Sequence, residues 1–183
     1  MPSPLNADDI RDLLRLEPHA TCGFVRLTFT STRSIPPGAL AAPFADERPL
    51  GSALYFMVTP CTPVRLHRIH NDQLYHYYLG DPLEVFLLHA KGGAERIVVG
   101  PDLRNGHRVQ LLIPGDTFHT ARLLGGGWFL GASTEWPGVV PSDVETGTVD
   151  ELAAKHPDVA ADLRAIAAGA EGPARRATPE RLP

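Results

Sequence analysis

The sequence predicts an all-β domain, a sandwich or barrel, with a short helix at its N-terminal and its C-terminal end. Three observations carry this. Many short apolar segments follow one another, each closed by Gly, Pro, Asn or Asp. Helical spacing occurs only near the two ends. The chain has 183 residues, 43% of them hydrophobic, enough for one core and too few for two comfortable ones. One domain over residues 1–170 is expected, followed by a disordered tail, EGPARRATPERLP, over 171–183.

The first helix is read in ADDIRDLLRL, where Ile10, Leu13, Leu14 and Leu16 share a face, Asn6 or Asp8 can cap, and Pro18 ends the run. From Gly23, FVRLTFTS alternates and is rich in β-branched and aromatic residues, as a strand requires. Ile35 to Pro49 reads as a long loop of the kind that covers a binding mouth. Strand-like runs then begin at Ser52, Val64, Gln73, Leu83, Glu95, His107, His119 and Gly127. Gly125-Gly126-Gly127 leads into no helix, so it reads as a hairpin tip and not a phosphate loop. Helix returns from Val149 to Ala168, interrupted by Pro157.

A formal charge of −4 with scattered basic residues leaves no footprint for nucleic acid. No apolar run approaches the ~18 residues of a membrane span, and MPSPLNADDIRDLL lacks signal-peptide character, so a cytoplasmic location is expected. Cys22 and Cys61 lack metal-ligand spacing and read as buried thiols.

Chemistry concentrates between His67 and Gly80, where three of the eight histidines (His67, His70, His76) fall, and again at Pro114–His119. On a strand, Gln73, Tyr75 and Tyr77 share one face, while Leu74, His76 and Tyr78 share the other. A remote strand bearing His119 can bring a second imidazole to the same concavity, and neutral imidazole serves as metal ligand or proton-transfer group. Tyr75 and Tyr77 can stack on a planar or sugar-like ligand. Arg26 and Arg68 can hold a carboxylate or phosphate through the guanidinium fork.

These two segments resemble the paired motifs of the cupin superfamily, a histidine-bearing stretch ending in an acidic residue and glycine, then a Pro-x-x-x-x-His run. More closely, the chain is similar to a branch of short single-domain cupins known only as a domain of unknown function. Matching pieces include Pro18-His19, Ser52-Ala53-Leu54-Tyr55-Phe56, His67-Arg68, Tyr75-His76, Gly80-Asp81-Pro82-Leu83, Gln110 and Trp136-Pro137-Gly138. The resemblance implies a double-stranded β-helix, a jelly-roll-like barrel, in a homodimer that binds a small-molecule substrate. It departs at Gln73, where the pattern carries Glu, and at Phe118-His119, where the branch commonly has Trp-Gln.

The resulting expectation is a small-molecule enzyme of epimerase, isomerase or lyase type acting on a carbonyl-containing or sugar-like metabolite. His67, His119 and His76 are its catalytic candidates, and Arg26, Tyr55, Arg68, Gln73, Tyr75, Tyr77, Gln110 and Phe118 its substrate contacts. The alternatives are a metal-dependent cupin of oxygenase or hydrolase type, with His67, Gln73 and His119 around a divalent ion, or a non-catalytic ligand-binding module.

Overall fold

The computed structural model describes residues 4–170; the tail expected over 171–183 lies outside them. The chain begins with α1 (Ala7–Leu14) and β1 (Glu17–Pro18), then β2 (Phe24–Thr30), β3 (Ser34–Ile35), β4 (Arg48–Pro49) and β5 (Ser52–Val58). There follow β6 (Val64–Ile69), β7 (Asp72–Gly80), β8 (Leu83–Leu88), β9 (Ala94–Val99) and β10 (Gln110–Ile113). The last elements are β11 (Phe118–Leu123), β12 (Phe129–Trp136), β13 (Val144–Thr146), α2 (Val149–Lys155) and α3 (Ala160–Ala170).

Two antiparallel sheets face each other, one ordered β1-β2-β5-β12-β7-β10 and the other β13-β6-β11-β8-β9. This is a jelly-roll sandwich, with sheet edges that do not close into a barrel. Gly125–Gly127 carries the chain from β11 in one sheet to β12 in the other, so it is an inter-sheet crossover and not the expected hairpin tip. The Gly127 N–H is tied to Asp81 at 2.8 Å.

The first helix behaves as its caps dictate. Asn6 and Asp9 form a reciprocal capping box at 2.9 and 3.0 Å. α1 stops at Leu14, short of Pro18, because Arg15 turns left-handed (φ 52°) and its N–H returns to helix carbonyls. At the other end Pro157 splits the expected helix into α2 and α3. Among the described residues no helix is long and apolar enough to cross a membrane.

Composition changes along the strands, and that gradient makes the site. Inward residues of β5 run Ser52, Leu54, Phe56, Val58; those of β12 run Glu135, Ser133, Gly131, Phe129. At the apolar end Phe56, Val58, Val85, Leu87, Ile97 and Phe129 form the inner core. The polar end stays hollow. Outside, Ile10 and Leu16 cover Met57 and Leu130 on the first sheet. On the second, α2 and α3 bury Leu66, Phe86 and Leu88 beneath Leu152, Leu163 and Ile166.

The loop expected from Ile35 to Pro49 is pinned at its base by β3–β4 pairing. Arg48 Nη1 donates to both carboxylate oxygens of Asp143, at 2.5 and 2.6 Å, in a pair that is almost fully buried. The thiols diverge from expectation: Cys22 is half-buried, and Cys61 is exposed because it occupies the Thr59–Thr62 turn.

Candidate active site

At the polar end of the sandwich lies a cavity of about 370 Å³. That falls near the low end of the roughly 300–1,000 Å³ usual for ligand sites, so it suits a small metabolite. Register builds one wall: Ser52, Glu135 and Gln73 stand abreast on β5, β12 and β7, with Leu54, Ser133 and Tyr75 in the next row. His67 and Ile69 on β6 face them. Val139–Pro141 and His19–Cys22 close the sides.

A β-bulge aims His67. Between Val64 and His67, β6 carries one residue more than β11 opposes, so both side chains point inward although three positions separate them. His67 Nδ1 lies 2.7 Å from the Arg65 carbonyl, which can only accept, so in the neutral ring Nδ1 holds the proton and Nε2 keeps its lone pair. That lone pair lies 4.0 Å from Cys22 Sγ. Burial lowers the His67 pKa to about 4, with Arg65 opposing and His19 adding to the shift.

His119 sits directly opposite His67 on β11, with ring centroids 4.3 Å apart. It is fully buried, and the cavity wall does not include it. Nδ1 faces the Thr117 carbonyl at 3.2 Å, and Nε2 accepts the Tyr75 hydroxyl at 3.1 Å. Burial, then His67, hold His119 neutral, while burial raises the Tyr75 pKa. His119 thus fixes Tyr75 from behind.

Glu135 is the polar centre of the wall. It is 2% exposed and accepts the Ser52 hydroxyl at 2.6 Å. Burial raises its pKa, against the lowering effect of Ser133 and Ser52. Sequence reasoning missed it. The signal was present: Glu135 shares strand parity with Ser133 and Phe129, just before the Trp136-Pro137-Gly138 piece. Gln73 accepts a long hydrogen bond from Ser133, 3.5 Å, on its amide oxygen, which leaves the amide N–H groups for a ligand.

A family model described as "Cupin superfamily (DUF985)" matches residues 8–147. The chain belongs to the cupin superfamily. A search of curated proteins found no match. Among solved structures, this cupin is similar to a Shewanella oneidensis protein at 26% identity and TM-score 0.78, covering 89% of this chain and 98% of that one. It is similar to a hypothetical protein from Leishmania major at 22% identity and TM-score 0.77, covering 88% and 98%. A Lactobacillus farciminis oxalate decarboxylase shares the fold at 12% identity and TM-score 0.50, covering 84% of this chain and 42% of its own.

Of the residues expected at the site, the cupin fold brings His67, Gln73 and Tyr75 to the cavity. His76 points to the outer face, between Thr134 at 3.0 Å and Gln110 at 3.1 Å, because it has the parity opposite to Gln73. Gln110 shares that outer position. Tyr55 also faces outward, edge-on to Tyr78, and packs beside the α1 cluster. Arg26 donates to the Leu14 carbonyl at 3.1 Å and caps α1. Arg68 pairs with Glu145 over the Phe118 ring, on the face toward α2. Tyr77 points inward but donates to Gly80 at the core end.

The residues present do not fit the metal centre expected as the alternative. Among the described residues no three His, Cys, Asp or Glu side chains gather as an ion would require. Both nitrogens of His119 are engaged, one by a carbonyl and one by a hydroxyl. A second cavity, about 390 Å³, lies between α3 and the second sheet; among the described residues that line it, Arg65 has no acid–base partner.

Proposed function

We propose that this cupin is a small-molecule enzyme of isomerase, epimerase or lyase type that moves a proton at a carbon next to a carbonyl. The single observation that carries this is Glu135, a buried carboxyl facing a neutral imidazole across an apolar-walled cavity. Glu135, made more basic than an ordinary carboxylate by its surroundings, takes the carbon-bound proton. The C–H electron pair moves into the carbon–carbon bond as the carbonyl becomes an enolate, whose oxygen the Gln73 amide N–H stabilises. His67 Nε2 accepts a substrate hydroxyl and orients it. Return of the proton from Glu135 to the neighbouring carbon on the same face, as the substrate hydroxyl's own proton passes to the enolate oxygen, completes isomerisation. Epimerisation requires the enolate to turn its other face to Glu135 before the proton returns. Leu54, Phe56, Val139 and Val140 keep water from the enolate.

The test is exchange of a carbon-bound proton with deuterated solvent, followed by NMR over a panel of aldoses, ketoses and hydroxyketones. Exchange is expected with the native chain and is expected to fall at least a hundredfold in Glu135→Gln. Exchange that survives Glu135→Gln overturns the assignment. Near-stoichiometric metal in the purified protein, lost in His67→Ala, overturns the assignment of this proton transfer to these side chains alone.

A further inference from the structure

The inner cavity has a one-sided charge inventory. The two arginines the sequence offers for an anion are spent elsewhere: Arg26 on the Leu14 carbonyl and Arg68 on Glu145. Arg48 has its charge matched by Asp143. Among the described residues lining the cavity none is Arg or Lys, and the acidic one is Glu135. Burial keeps His67, and to a lesser degree His19, toward the neutral form.

A carboxylate or phosphate entering this space gives up its hydration and meets no cation. Its nearest ionisable neighbour on the polar wall would repel it once ionised. An uncharged hydroxyl or carbonyl loses only hydrogen bonds, which the free amide N–H groups of Gln73 and the His67 Nε2 lone pair can replace. The apolar strap of Val139, Val140 and Pro141 matches a carbon skeleton. Resting on the reading of this cavity as the substrate site, we propose that it selects uncharged hydroxyl- and carbonyl-bearing molecules and rejects their carboxylate and phosphate counterparts.

The protein carries its own reporter. Cys22 lines the cavity and Cys61 is exposed on the surface, so each molecule holds a cavity thiol and a reference thiol. Burial raises the Cys22 pKa to about 11, which slows every reagent alike and cancels in a ratio between reagents. The full chain is alkylated at pH 8.5 with iodoacetamide, which is neutral, or iodoacetate, which is anionic, and both sites are followed by peptide mass spectrometry. The neutral-to-anionic rate ratio at Cys22 is expected to exceed that at Cys61 at least tenfold. Leu27→Arg places a cation at the exposed rim without touching the core, and is expected to cut the Cys22 ratio at least threefold.

Equal ratios at the two thiols overturn the proposal, as does a ratio that Leu27→Arg leaves unchanged. Faster labelling of Cys22 by a cationic methanethiosulfonate than by its neutral methyl analogue, relative to Cys61, overturns it in favour of amines. A Cys22 that no reagent reaches in the native protein overturns the reading of the cavity as a ligand site, and with it this proposal. These failures are distinguishable from one another.

Discussion

His67 illustrates how much a single residue's surroundings decide. Free histidine has a pKa near 6.5, and here burial depresses it to about 4. The unfolded chain therefore binds a proton that the folded chain refuses as pH falls between those values, so folding stability is full above about pH 6.5 and drains away toward pH 4. His119 shifts in the same direction. Glu135, raised, acts oppositely: its contribution is present at low pH and fades as pH rises through its native value. Urea unfolding at pH 7 and pH 4.5 should show an acid-side loss that His67→Gln reduces by about 2–3 kcal/mol. An undiminished loss would mean that His67 is protonated in the folded state. The residue also shows where sequence reading stops: His67 was legible from its neighbours, whereas its aim depends on an extra residue in β6 that no spacing rule reveals.

Between elements, the Arg48–Asp143 pair joins the loop that ends at β4 to the segment that closes the cavity. Asp143 also accepts the Val140 N–H at 2.9 Å, and Val140 is part of the cavity wall. Removing one partner strands a buried charge. Arg48→Ala is expected to destabilise the fold by about 3–5 kcal/mol, while the double variant Arg48→Met/Asp143→Leu recovers most of that loss. Equilibrium denaturation of both variants checks this; a single variant no worse than the double would show that the pair is not coupled. The elements themselves were largely readable. Each strand of the two sheets longer than three residues falls in a run marked by alternation and turn residues. The two-residue strands and β13 were not, because their pairing is imposed by partners distant in sequence.

At the scale of the molecule, helices cover part of each outer face of the sandwich, so that the inner faces need not be apolar throughout. Leu163, 2% exposed, anchors α3 over Phe86 and Leu88. Leu163→Ala should cost about 2–5 kcal/mol in denaturation while leaving the Cys22 labelling ratio intact, since the cavity lies on the opposite face of that sheet. A changed ratio would tie the C-terminal helices to the site. The polar hollow survives because the apolar half of the sandwich and both helical covers bury enough surface to hold the sheets together around it.

By itself the sequence determined the all-β class, the flanking helices, the cupin membership and three cavity residues, His67, Gln73 and Tyr75. These are local matters: strand period, turn chemistry and short motifs lie within a few residues of one another. Only the tertiary structure decided that Glu135 and Ser52 complete the wall, that His119 stands behind it, and that the candidate arginines face away. Each of those outcomes depends on register between strands and on which sheet a strand joins. A one-residue slip there moves a side chain from the cavity to the outside.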